Sequence, residues 1–243
     1  MASLAFGLTG LVWGLLADRI SVRWPEHDQE FIAGRSVGWR TLVVAGFGAL
    51  GLGVLPGRFD GRFNAGLDAG SQSSAVLTLQ LGQLDTLQPA QLDPALELVI
   101  FAAYVLVLTL LLATDLDQRL LPDALTLPMI PLALLFAASG RNPMVGDALL
   151  PAIVAAVVIP AALYLPSLRF GPGAFGMGDV KLLVTIGLVS GAYRALLGLT
   201  AGVLASGVVI VALLALRRTT RKSYIPFGPF LILGALWAIL LRT

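Results

Sequence analysis

Residues 98–123 read LVIFAAYVLVLTLLLATDLDQRLLPD: seventeen positions without a charge, then Asp115, then a short polar turn that ends on Pro122 and Asp123. A hydrocarbon core about 30 Å thick needs roughly 20 helical residues, with about 17 tolerated, so this run reads as a membrane-spanning helix with an acid at its edge. Charge-free windows of the same kind cover residues 1–17, 41–57, 124–140, 148–168, 182–193, 195–216 and 223–241. Across the chain, 57% of residues are hydrophobic and only 12% charged, about half the roughly 25% charge usual in soluble domains. Backbone groups in hydrocarbon must pair internally, and the runs are too long and too uniformly apolar for barrel strands. The expected fold is therefore all-α, a polytopic membrane bundle of about eight helices. The 182–193 window is short, so its helix is expected to begin near Asp179. The first window lacks a cleavage site of small residues after a basic start and is expected to be a retained helix.

Lysine and arginine counts in the loops predict orientation. With residues 18–40 on the cytoplasmic side, alternation puts eleven of the sixteen basic residues inside and leaves Arg58, Arg62, Arg141, Arg194 and Arg242 outside. Both chain ends then lie outside the cytoplasm, and Asp115 and Asp179 share the cytoplasmic face. The basic cluster Arg217, Arg218, Arg221 and Lys222 is expected to set topology and meet anionic lipid rather than recognise a substrate. The long polar interruption from Pro56 to Pro94 reads as an external loop.

Cysteine is absent, which excludes disulfides, thiolate zinc sites and cysteine nucleophiles. The one histidine, His27, sits among Glu26, Asp28 and Glu30, away from any nucleophile elbow, and reads as a solvated loop residue. No cofactor, metal or nucleic-acid partner is expected. The chemistry rests with acids. An ionisable side chain near the bilayer costs on the order of 3 kcal/mol by insertion scales, which makes an intramembrane acid a functional candidate. Asp115 follows one apolar run. Asp179 follows Gly176, Met177 and Gly178 at the head of another, where glycines let backbones approach closely and the helix dipole favours an acid. The plain structural alternatives are an interfacial Asp115 paired with Arg119 and an Asp179 that only caps its helix. A proton-relaying transporter would show related halves with interrupted helices, and no such symmetry is present.

Taken together, three motifs give the chain a resemblance to the type IV prepilin peptidases, intramembrane aspartic peptidases of the Gly-x-Gly-Asp class. They are Asp115 with the following Leu121-Pro122-Asp123 turn, Gly176-Met177-Gly178-Asp179-Val180-Lys181, and Pro226-Phe227-Gly228-Pro229. The resemblance spans roughly residues 95–243 and divides the chain into an N-terminal two-span region, 1–94, and a six-span peptidase region, 95–243. It implies that Asp115 and Asp179 are catalytic and that Gly176 and Gly178 shape the turn. Lys181, Asp123, Pro226, Phe227, Gly228 and Pro229 would support them, while Asp117 and Asp123 read as local turn and interface acids. Two nearby carboxylates cannot both ionise cheaply, so such a pair shares a proton and titrates as one unit. The implied substrates are prepilins or pseudopilins, with preflagellins or other single-span proteins as the alternative within the class. The implied location is a prokaryotic inner membrane. Many members also methylate the new pilin terminus and carry two Cys-x-x-Cys pairs between their first two spans. Here that loop is short and cysteine-free, which argues against methylation by this chain.

Overall fold

A computed structural model describes residues 2–22, 37–56, 94–138, 149–170, 175–217 and 227–240. The loop between Pro56 and Pro94, His27, Pro226 and the basic residues Arg218, Arg221 and Lys222 lie outside the described residues. Among the described residues seven α-helices follow one another: α1 Ala2–Ser21, α2 Trp39–Gly53, α3 Pro94–Gln118, α4 Asp123–Ala138, α5 Leu149–Ser167, α6 Met177–Ala215 and α7 Gly228–Leu240, with a 3-10 turn at Leu168–Phe170. Among the described residues there is no strand, and the chain is a polytopic helical membrane protein.

The eight charge-free windows all fall on these helices, with 182–193 and 195–216 both in α6, which is two helices joined at a kink. At 39 residues it would run about 58 Å at 1.5 Å per residue, nearly twice a bilayer core. It is broken at Gly191, where φ 68 and ψ 175 lie in a region open essentially to glycine alone. The break comes three residues before Arg194, the position that separates the windows in sequence. Arg194 itself is buried and donates from Nη1 to the Ala238 carbonyl at 3.2 Å, so it joins two helices rather than marking a loop. Four helices, α1, α3, α5 and α6, are long and apolar enough to cross a membrane. The other windows were expected to span as well; as described, α2, α4 and α7 have 15, 16 and 13 residues.

Lipid tails are as apolar as leucine, so helices in a bilayer associate through close packing rather than through expulsion of water. α3 is the centre. From Leu108 to Asp115 its residues are buried on every side, and it packs against α1, α2, α4 and α7. Phe101 meets Phe136 of α4 at 5.4 Å between ring centroids, and the Tyr104 and Thr185 hydroxyls are 3.4 Å apart between α3 and α6. α1 and α2 approach through glycine: a Cβ added at Gly10 or at Gly48 would collide with the other's carbonyl oxygen. Overpacking such a contact typically costs about 1–3 kcal/mol. Gly10→Val is therefore expected to lower the thermal midpoint in detergent by several degrees, and an unchanged midpoint would show that the two helices do not touch there.

Candidate active site

Six helix ends gather at one end of the bundle, and the acids lie among them. Asp115 sits in the last turn of α3, which closes with the bond from the Arg119 amide to the Asp115 carbonyl at 3.0 Å. Arg119 then adopts φ 58, a left-handed conformation that ends the helix where glycine would be usual. The chain crosses in an extended turn to Pro122, whose carbonyl accepts the first amides of α4 from Leu125 and Thr126, both at 3.0 Å. Proline is suited to this place because a missing amide proton costs nothing at a helix start. Opposite, Gly176 caps α6 and Asp179 occupies its first turn. The glycines are required by contact: a Cβ at Gly178 would come within 2.8 Å of Leu121 Cβ, and one at Gly176 within 3.2 Å of Asp179 Oδ2. The Leu121-Pro122 turn and the Gly-Met-Gly-Asp turn are thus pressed against each other.

Gly228, at the start of α7, joins the two acids. A Cβ there would overlap Asp115 Oδ2 and stand 3.3 Å from Asp179 Oδ1. One point touches both carboxylates, which puts them within the ~4–6 Å over which charges govern each other's protonation. Asp115 is 4% exposed, and its Oδ2 has no hydrogen-bond partner among the described residues. It forms no ion pair with Arg119 either, so the interfacial-pair alternative does not describe it. Phe175 and Phe227 face each other across the same end at 6.3 Å between centroids, linking the segment before Asp179 to the one before Gly228. Pro229 falls in the first turn of α7, where proline is tolerated.

Lys181 and Asp123 form an ion pair at 2.5 Å that ties the first turn of α6 to the start of α4. Asp123 is exposed, with 63% of its side-chain surface open, and exposed pairs contribute about 0.2–1 kcal/mol. In the peptidase assay that the resemblance implies, Asp123→Asn is accordingly expected to retain at least about a fifth of the parent's rate. A variant as inactive as one lacking Asp115 would show that Asp123 takes part in the chemistry.

Asp117 is not merely a turn acid. It lies inside α3 and accepts a hydrogen bond from Arg40 Nη1 at 2.7 Å. Asp18, fully buried in the last turn of α1, accepts from the Thr41 hydroxyl at 2.7 Å and lies 3.9 Å from Arg40 Nη2. Gln118 Nε2 donates to the Ser21 carbonyl at 2.8 Å. Residues this far apart carry no common motif in sequence. The available signal was electrostatic: a cation in the first turn of α2 and acids in the last turns of α1 and α3 all oppose the helix dipole.

Fold and site define a polytopic helical membrane protein built around two carboxylates that converge on a glycine helix start. Residues 102–216, which hold both aspartates, match the type IV leader peptidase family. The prepilin leader peptidase/N-methyltransferase of Aeromonas salmonicida (strain A449) is 35% identical over 135 residues, 56% of this chain and 46% of that protein. Proteins of the same name from Stutzerimonas stutzeri and Pectobacterium carotovorum subsp. carotovorum are 32% and 31% identical over 127 and 145 residues, 52% and 59% of this chain and 44% and 50% of those proteins. These matches support the type IV prepilin peptidase family for the segment that holds both aspartates. The chain spans about half the length of the curated relatives it matches. No solved structure matched it.

Proposed function

We propose that the chain is a membrane aspartic endopeptidase that removes the leader peptide of type IV prepilins or pseudopilins at the cytoplasmic face of a prokaryotic inner membrane. The observation that carries this reading is the convergence of Asp115 and Asp179 on Gly228. With one proton between two carboxyls, the ionised acid takes a proton from a water as its oxygen attacks the scissile carbonyl. The neutral acid gives its proton to the carbonyl oxygen, and the tetrahedral intermediate collapses as the amine leaves with a proton returned from the dyad. Gly176 and Gly178 allow the turn to pack against Leu121, Gly228 leaves space between the carboxylates, and Lys181 with Asp123 links the α4 and α6 starts. The peptidase region is residues 95–243, with α1 and α2 packed against its α3. Membrane lipid is the surrounding partner, and a prepilin, with a basic leader followed by an apolar helix, is the substrate.

Incubating the detergent-solubilised chain with a prepilin tests the reading, with the leader followed by gel shift and mass. Release of the leader from the parent is the expected result. No cleavage of several prepilins would overturn the substrate assignment, while cleavage of a preflagellin alone would favour the other branch of the class. The proposal covers cleavage, and a further 14 Da on the product would extend it to methylation.

A further inference from the structure

Asp18, Arg40 and Asp117 each stand at the unfavourable pole of a helix, and all three meet. The macrodipole favours acids near N-termini and cations near C-termini. Here Asp18 ends α1, Asp117 ends α3 and Arg40 begins α2. Removing such charges from water costs several kcal/mol per ion, which apolar side chains of similar volume would not incur. Yet Asp18 and Asp117 show only 1% and 9% of their side chains and Arg40 only 14%. Sequences break several local rules at one place where function requires it.

The requirement follows from position. Successive residues of an α-helix are about 100° apart, so Asp115 and Asp117 leave the last turn of α3 on opposite sides. One side meets Gly228 and Asp179, the other Arg40. Holding Asp117 sets the rotation of that turn and hence the direction of Asp115. Two residues after Asp117 the chain turns left-handed at Arg119, so the bond to Arg40 lies at the very end of the helix. Gln118, bonded to the Ser21 carbonyl, supplies a second tie to α1, and the Ser21 hydroxyl returns to the Asp18 carbonyl at 3.0 Å.

We infer that Arg40, hydrogen-bonded to Asp117 with the Asp18 carboxylate 3.9 Å from its Nη2, is a positioning residue that braces the last turn of α3 so that Asp115 faces Asp179. The pair α1–α2 lies outside the segment that matches the family, residues 102–216, and the brace makes it a working part of the catalytic end. This rests on the peptidase reading. Arg40→Lys keeps the charge but loses the guanidinium whose Nη1 bonds Asp117 while its Nη2 lies 3.9 Å from Asp18, and Asp117→Asn keeps the shape but loses the charge.

In full-length protein, both substitutions are expected to lower kcat for prepilin cleavage at least tenfold, with KM within twofold and thermal midpoint within a few degrees. A second readout needs no turnover. The chain has no cysteine, so Asp115→Cys gives a single thiol whose alkylation by a small water-soluble maleimide can be timed in isolated membranes. Adding Arg40→Lys or Asp117→Asn is expected to change that rate at least tenfold. Parent-like kcat in both folded variants, or an unchanged alkylation rate, overturns the inference. A parent that cleaves nothing would fail the peptidase reading alone, because alkylation still reports on the brace. A variant too weak for detergent is decided by alkylation in membranes.

Discussion

Asp115→Asn and Asp179→Asn are each expected to abolish leader cleavage, lowering kcat at least about a thousandfold while the protein stays folded, consistent with the 10²–10⁴-fold typical of a lost general acid or base. Asparagine matches aspartate in size and hydrogen-bonding reach, so neither substitution opens a cavity at the end of the bundle. It cannot exchange a proton, however, and a dyad with one member silenced can neither activate water nor protonate the carbonyl. The double variant should be no worse than either single one, because residues acting as a unit lose their whole effect with the first removal. Leader mass after incubation, with gel filtration and thermal midpoint as folding controls, checks this. Appreciable cleavage by either single variant would reject the dyad.

The second large effect is expected from one methyl group. In Gly228→Ala the new Cβ would overlap Asp115 Oδ2 and lie 3.0 Å from Asp115 Cγ and 3.3 Å from Asp179 Oδ1. Backbone on one side and buried α3 on the other leave the carboxylates as the groups that must yield. A fall of about a hundredfold in kcat/KM corresponds to roughly 2.7 kcal/mol, within the 1–3 kcal/mol typical of overpacking. Gly207→Ala is the matched control, since nothing lies within 4 Å of a Cβ there, and its kinetics should equal the parent's. If Gly228→Ala cleaves as the parent does, the two acids do not converge at that helix start.

Much of the bundle was legible in the chain, and for a physical reason. Hydrocarbon admits few backbones, so a run such as 98–114 has only the helix available to it. The same constraint makes Asp115 and Asp179 conspicuous as acids set among apolar residues. The sharp turns around Gly176 and Pro122 were likewise readable, because proline and glycine act through the local backbone. Gly191 was harder. Its break depends on a backbone angle, and the charge of Arg194 three residues on drew the boundary to the wrong place.

The sequence by itself determined the class of fold and singled out Asp115 and Asp179 as candidate acids, because both follow from the cost of placing polar groups in a bilayer. Only the tertiary structure decided that the acids meet at Gly228, that Gly178 must make room for Leu121, and that Asp18, Arg40 and Asp117 form one cluster. Each of these is a contact between helices whose residues lie tens of positions apart. No local preference encodes such a contact: it exists only once the packed helices fix which faces look at one another.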